Sequence, residues 1–105
     1  MIQSFLIDNL QYANWSETIF RQMREGGVDA VHVTIAYHEQ FCETVSNIEQ
    51  WNGWFERYPD LIRLAYTAQD VRQAKRDGVT AILFGFQNPS PMEDDIGLIE
   101  FLHRL

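Results

Sequence analysis

The run Thr80–Phe86, TAILFGF, limits the fold of this chain more than any other stretch. It is almost wholly apolar and β-prone, interrupted only by Gly85. An apolar run of that length bounded by turn residues reads as a strand covered on both faces, the usual state of strands in a parallel sheet. Gln87, Asn88, Pro89, Ser90 and Pro91 then form a loop, because proline has no amide hydrogen to give to a ladder. Glu93, Asp94 and Asp95 open a helix that reaches Leu105. Carboxylates in a first turn suit the positive end of the helix dipole, so the triplet reads as a helix start rather than a metal site.

Upstream, the same alternation of strand and helix repeats. Ser4–Ile7 reads as a short buried strand ending at Asp8, and Asn9–Asn14 as a loop. Asn14 with Glu17 fits a capping box opening a helix that carries Ile19, Phe20 and Met23 and stops at Gly26-Gly27. Val28–Ala36 is a second strand, with Val31, Val33 and Ile35 on one side and His32 and Thr34 on the other. From about His38 to Tyr58, apolar residues recur every three or four places, predicting a long amphipathic helix ended before Pro59. Leu61–Tyr66 is a third short apolar run; Thr67 with Asp70 then caps a helix through Arg76, closed by Gly78. Repeated βα units of this kind predict an α/β fold with parallel strands and right-handed crossovers. Leu105 falls inside an apolar helical pattern with no stop signal, so the sequence is expected to be the N-terminal part of a longer protein, or a piece needing a partner at its sheet edge.

Charge and composition narrow the partners. The 105 residues carry a formal net charge of −7 with no cluster of lysine or arginine, which argues against nucleic acid. A single cysteine, Cys42, excludes an internal disulfide and fits a reducing compartment. No segment reaches membrane-spanning length, and the first residues do not read as a signal peptide, so a cytoplasmic location without membrane association is expected.

Four pieces in order, FLIDNL (5–10), MREGGVDAVHVTI (23–35), TAQDVRQAKRDGVTAILFGFQN (67–88) and EDDIGLIEFLHRL (93–105), resemble the membrane (renal-type) dipeptidase family, peptidase family M19. The resemblance implies a metal-dependent hydrolase of dipeptides or related small amides, built on a TIM-like (β/α)8 barrel with its helices outside. Such a barrel takes about 250 residues, so this segment would hold only its first few βα units as a single segment, 1–105. It would need the remainder of the barrel, or self-association, to be complete. The site of such a barrel lies at the C-terminal ends of the strands, which makes Asp8, Tyr12, His38, Gln87 and Asn88 the candidates to line a pocket for a dipeptide-like substrate.

The cofactor that the resemblance implies is zinc. Active members place a His-x-Asp pair after the first strand and a metal-bridging Glu after the later one; here those positions fall on Leu10, Tyr12 and on or next to Gln87. Leucine has no lone pair, a phenol is mostly protonated at neutral pH, and an amide carries no charge. The usual two-zinc site is therefore not expected from this segment. His38-Glu39-Gln40-Phe41-Cys42 approaches the HExxH zinc helix, yet reads better as an ordinary helix start, since Phe41 belongs to the apolar stripe. His32 reads as a hydrogen-bonded structural residue, His103 as a helix-surface one, and Trp15, Trp51 and Trp54 as packing anchors.

Overall fold

The structure, a computed structural model, describes residues 5–11, 15–36, 40–86, 98 and 102–104, with the side chains of 9–11, 36 and 86 left out. Four strands and three helices alternate: β1 (Ile7–Gln11), α1 (Glu17–Glu25), β2 (Ala30–Ala36), α2 (Phe41–Arg57), β3 (Ile62–Leu64), α3 (Ala68–Asp77) and β4 (Thr80–Phe86). All pairings are parallel, as the apolar runs require. The strand order is β1-β2-β4-β3, so β4 pairs directly with β2, and β3 lies beyond it. β2 and β4 can match six residues each, from Ala30↔Ala81 to Ala36↔Phe86, whereas β3 covers only Thr80–Ile82.

That order decides where the helices go. β1 to β2 and β2 to β3 both advance in one direction across the sheet, while β3 to β4 steps back. With every crossover right-handed, the helix on the backward step must lie on the opposite face. The packing agrees. Phe20 and Met23 of α1 and Ile48 and Trp51 of α2 share one core with Val31, Val33, Ile35 and Ile82. Ala74 and Val71 of α3 pack instead with Ala30, Ala81, Val79, Ala65 and Leu83. Side chains alternate across a strand, so these two sets of strand residues are on opposite faces. The helices are thus not all on one side: α3 covers the face that α1 and α2 leave, and only at the end where β2 and β4 begin.

The first core is dominated by rings. Trp51 meets Trp54 edge-on at 4.7 Å and Trp15 at 5.4 Å, and Phe20 lies 5.6 Å from Trp54. Trp15, Trp51 and Trp54 are therefore packing anchors within the described residues themselves. The second core is made of small residues, which lets α3 approach the sheet closely.

Asp29, only 6% exposed, joins the segments at this end. Its carboxylate accepts from the Leu6 amide at 2.9 Å and from the Lys75 ammonium at 3.0 Å. Its amide donates to the Leu6 carbonyl at 2.8 Å, and its own carbonyl accepts from the Ala81 amide at 2.9 Å. Beside it, the Thr80 hydroxyl donates to the Val28 carbonyl at 2.9 Å, and Arg24 donates to both the Val28 carbonyl and the Thr80 Oγ1.

Some boundaries differ from the sequence reading. β1 runs from Ile7 to Gln11, where the sequence pattern predicts Ser4–Ile7 as the strand and Asn9–Asn14 as a loop, because pairing with β2 and not local hydropathy fixes it; Asp8 is therefore near the start of the strand and not at its end. The cap of α1 is Ser16, whose hydroxyl accepts from the Ile19 amide, while Glu17 pairs with Arg21 one turn on at 2.7 Å instead of closing a box with Asn14. α2 starts at Phe41 with Gln40 as a cap that makes no side-chain bond. The box of Thr67 and Asp70 is present, and α3 ends at Gly78, whose φ of 76° is the left-handed conformation that glycine adopts without strain. The acidic triplet Glu93–Asp95 lies outside the described residues; of that segment Leu98, Leu102 and His103 are helical, with Leu102 buried. No helix among the described residues is long and apolar enough to cross a membrane.

Two outcomes follow for stability. Asp29→Ala removes the charge partner of Lys75 and the acceptor of the Leu6 amide, and is expected to cost about 2–3 kcal/mol in urea unfolding. The Asp70 carboxyl is held below the usual carboxylate range chiefly by the Tyr66 amide and further by Thr67. A lowered pKa gives stability that is full above the unfolded value, about pH 4, and fades as pH falls through the folded one. The stability gap between the native chain and Asp70→Asn should therefore be constant near neutrality and narrow in acid, read from unfolding midpoints across the pH range.

Candidate functional site

In a parallel α/β sheet the chemistry gathers at the C-terminal ends of the strands. Here those ends are Gln11 of β1, Leu64 of β3, Ala36 of β2 and Phe86 of β4, with Ala36 and Phe86 side by side in register. Asn47 of α2 fixes this end by donating to the Ile35 carbonyl at 2.9 Å. Of the residues expected to line a pocket, Asp8 is exposed on β1, paired in register with Val31. Leu10 belongs to β1 two residues later, and its side chain is outside the description. Tyr12, His38, Gln87 and Asn88 lie outside the described residues, as does the His38 half of the HExxC pattern; Cys42 is exposed in the first turn of α2.

The described part of the site is the second face of the sheet above α3. Its lower half is apolar, with Ala30 and Ala81 fully buried under α3. Its upper half is not: His32, half-buried, and Thr34, buried, project from β2 beside Leu83 and Gly85 of β4. His32 is level with Leu83, yet its ring leans toward the strand ends and lies over Gly85. A Cβ at Gly85 would stand 2.1 Å from His32 Nε2 and 2.8 Å from Cδ2, closer than any side chain tolerates. Gly85, the one break in the apolar run, is the space that this imidazole fills. The sequence shows both residues but not their contact, which depends on β4 docking against β2.

The cationic groups near this sheet sit at its other end and are engaged there: Lys75 with Asp29, Arg63 with Asp77 at 2.6 Å, and Arg24 with Val28 and Thr80. Among the described residues no three His, Cys, Asp or Glu side chains come close enough to share a metal ion. An open groove of about 430 Å³ lined by Ser46, Glu49, Gln50, Gly53, Trp54 and Arg57 belongs to the outer side of α2, away from the strand ends.

Comparison with known proteins places this geometry. No curated protein sequence matches the chain. Among solved structures it is similar to an amidohydrolase from Pseudomonas aeruginosa, with 37% identity and a TM-score of 0.90 over 96% of this chain. The chain spans only 31% of that protein, so the four-stranded sheet corresponds to part of a barrel. The sequence model of the membrane dipeptidase family matches residues 3–105, and the chain belongs to that family, peptidase family M19.

Proposed function

We propose that the polypeptide is a hydrolase of dipeptides or related small amides whose pocket opens at the strand ends, with Tyr12, His38, Gln87 and Asn88 at its rim; Asp8, level with Val31 near the start of β1, stands away from it. The observation that carries this reading is the family match along 3–105, together with the 37% identity to an amidohydrolase over almost the whole chain. Because the chain spans 31% of that neighbour, the remaining βα units would come from further polypeptide or from a second copy. The lone Cys42 fits a reducing, cytoplasmic setting.

Zinc is the metal of this family, and the residues at the ligand positions do not fit a pair of zinc ions. β1 ends at Gln11 and β4 at Phe86, so Leu10 and Gln87 stand at strand ends, where ligands would be needed. Neither they nor Tyr12 offers an imidazole or a carboxylate, and a bridging position between two divalent cations calls for negative charge. This donor set also favours a second reading, in which the barrel has kept its pocket and lost hydrolysis, serving as a binding protein.

Turnover of alanyl-alanine by the full-length polypeptide separates the two: hydrolysis supports the enzyme, and none in a folded protein supports the binding barrel. The ligand positions are tested by the combined change Leu10→His, Tyr12→Asp and Gln87→Glu. This variant should bind zinc at least tenfold more tightly in a competition titration. Unchanged affinity in a folded protein would show that these are not the ligand positions.

A further inference from the structure

The outer side of α2 carries a groove that the packing of the sheet does not use. It has a volume of about 430 Å³ and is lined by Ser46, Glu49, Gln50, Gly53, Trp54 and Arg57. These positions recur at three- and four-residue spacing, so they form one helix face, opposite the buried Thr44, Ile48 and Trp51. All but Trp54 are exposed. Helices ring the outside of a barrel, so this side of α2 stays on the surface when further βα units are added.

Gly53 is not required there by its own chain. Its φ is not left-handed, and a Cβ placed on it would meet nothing within 4 Å. Glycine weakens a helix interior relative to alanine, and what it offers in return is close approach of another backbone. Charge flanks it evenly: Glu49 lies four residues before Gly53 and Arg57 four residues after. The two are about 12 Å apart along the axis, too far to pair within the helix. On α1, by contrast, Glu17 and Arg21 are one turn apart and do pair, at 2.7 Å. Among the described residues neither Glu49 nor Arg57 has an ion-pair partner, and Arg57 lies 6.0 Å from the centre of the Tyr58 ring.

We infer that this face of α2 is a self-association surface, on which a second copy of the chain lays its own α2 antiparallel across a two-fold axis at Gly53. A two-fold contact uses the same patch on both copies, so each residue pair occurs twice. Centred on Gly53, it sets Glu49 of each copy against Arg57 of the other and brings the two glycines together at the crossing, with the half-buried Trp54 rings beside them. A parallel arrangement would set like charges against each other instead. The shared span from Glu49 to Arg57 is only about 12 Å long. Such a contact is smaller than the roughly 800 Å² per partner of a stable complex, so association falls in the micromolar range. The surface is separate from the sheet edges, where further βα units would join, and from the proposed strand-end pocket.

The test is sedimentation velocity of the full-length polypeptide across the micromolar range. The native chain is expected to show a concentration-dependent equilibrium of monomer and dimer that shifts toward monomer in high salt. Glu49→Arg and Arg57→Glu should each weaken dimerisation about tenfold, because each turns both ion pairs into like-charge contacts. An equimolar mixture of these two variants should dimerise as the native chain does, since opposite charges then meet at both contacts. Gly53→Leu adds a side chain whose Cβ touches nothing in its own chain, and should abolish association without lowering the thermal midpoint. Monomer at every concentration overturns the second copy as the occupant of the groove. A dimer insensitive to Gly53→Leu overturns this surface. Full dimerisation of either charge variant alone, or no dimer in their mixture, overturns the two-fold pairing of Glu49 with Arg57.

Discussion

The carboxylate of Asp29 is the constraint on which the sheet is assembled. It is buried, and a buried carboxylate is costly unless each lone pair is met. The partners that meet it come from separate parts of the chain: the Leu6 amide before β1, and Lys75 on α3. Its backbone adds bonds to Leu6 and to Ala81 of β4. One residue thus fixes the relative level of β1, β2 and β4 and holds α3 across their starts. Lys75 also lies 4.9 Å from the centre of the Phe5 ring, so the same ammonium braces the segment leading into β1.

The two ends of the sheet consequently differ in character. At the starting end, small side chains and the Asp29–Lys75 ion pair close one face against α3, and the Thr80–Val28–Arg24 bonds tie α1 to the start of β4. Toward the other end the strands run past the reach of α3, and the same face turns polar at His32 and Thr34. Outside, the ring cluster around Trp51 holds α1 and α2 firmly to the sheet, so the strand ends are displayed from a rigid support. Stabilising contacts thus gather at the starts of the strands, and the proposed pocket lies at their other ends, the division found in barrel enzymes generally.

What could be read from the sequence followed how local each signal was. The Thr67–Asp70 box and the Gly78 stop are short-range hydrogen-bond and backbone preferences, and both are present. The strand Thr80–Phe86 and the alternation of Val31, Val33 and Ile35 needed only periodicity. By contrast, two neighbouring residues, Asn14 and Ser16, both suit the cap of α1, and it is Ser16 that caps it. The placement of β4 between β2 and β3 is a pairing between distant segments, and so is the seating of His32 over Gly85. Gly85 looked like a flaw in a strand; its meaning lay in a residue on another strand. Of the pocket candidates only Asp8 lies among the described residues, near the start of β1, and the strand-end candidates come from the family resemblance.

On the reading proposed here, the family fold and the family metal come apart in this chain. Its fold matches an amidohydrolase closely, while the residues assigned to the ligand positions, Leu10, Tyr12 and Gln87, would supply none of the charge that two zinc ions require. The zinc content of the purified full-length polypeptide after dialysis, measured by mass spectrometry against protein concentration, tests that separation most directly. The account predicts that no pair of zinc ions is retained. Two equivalents held through dialysis would contradict it.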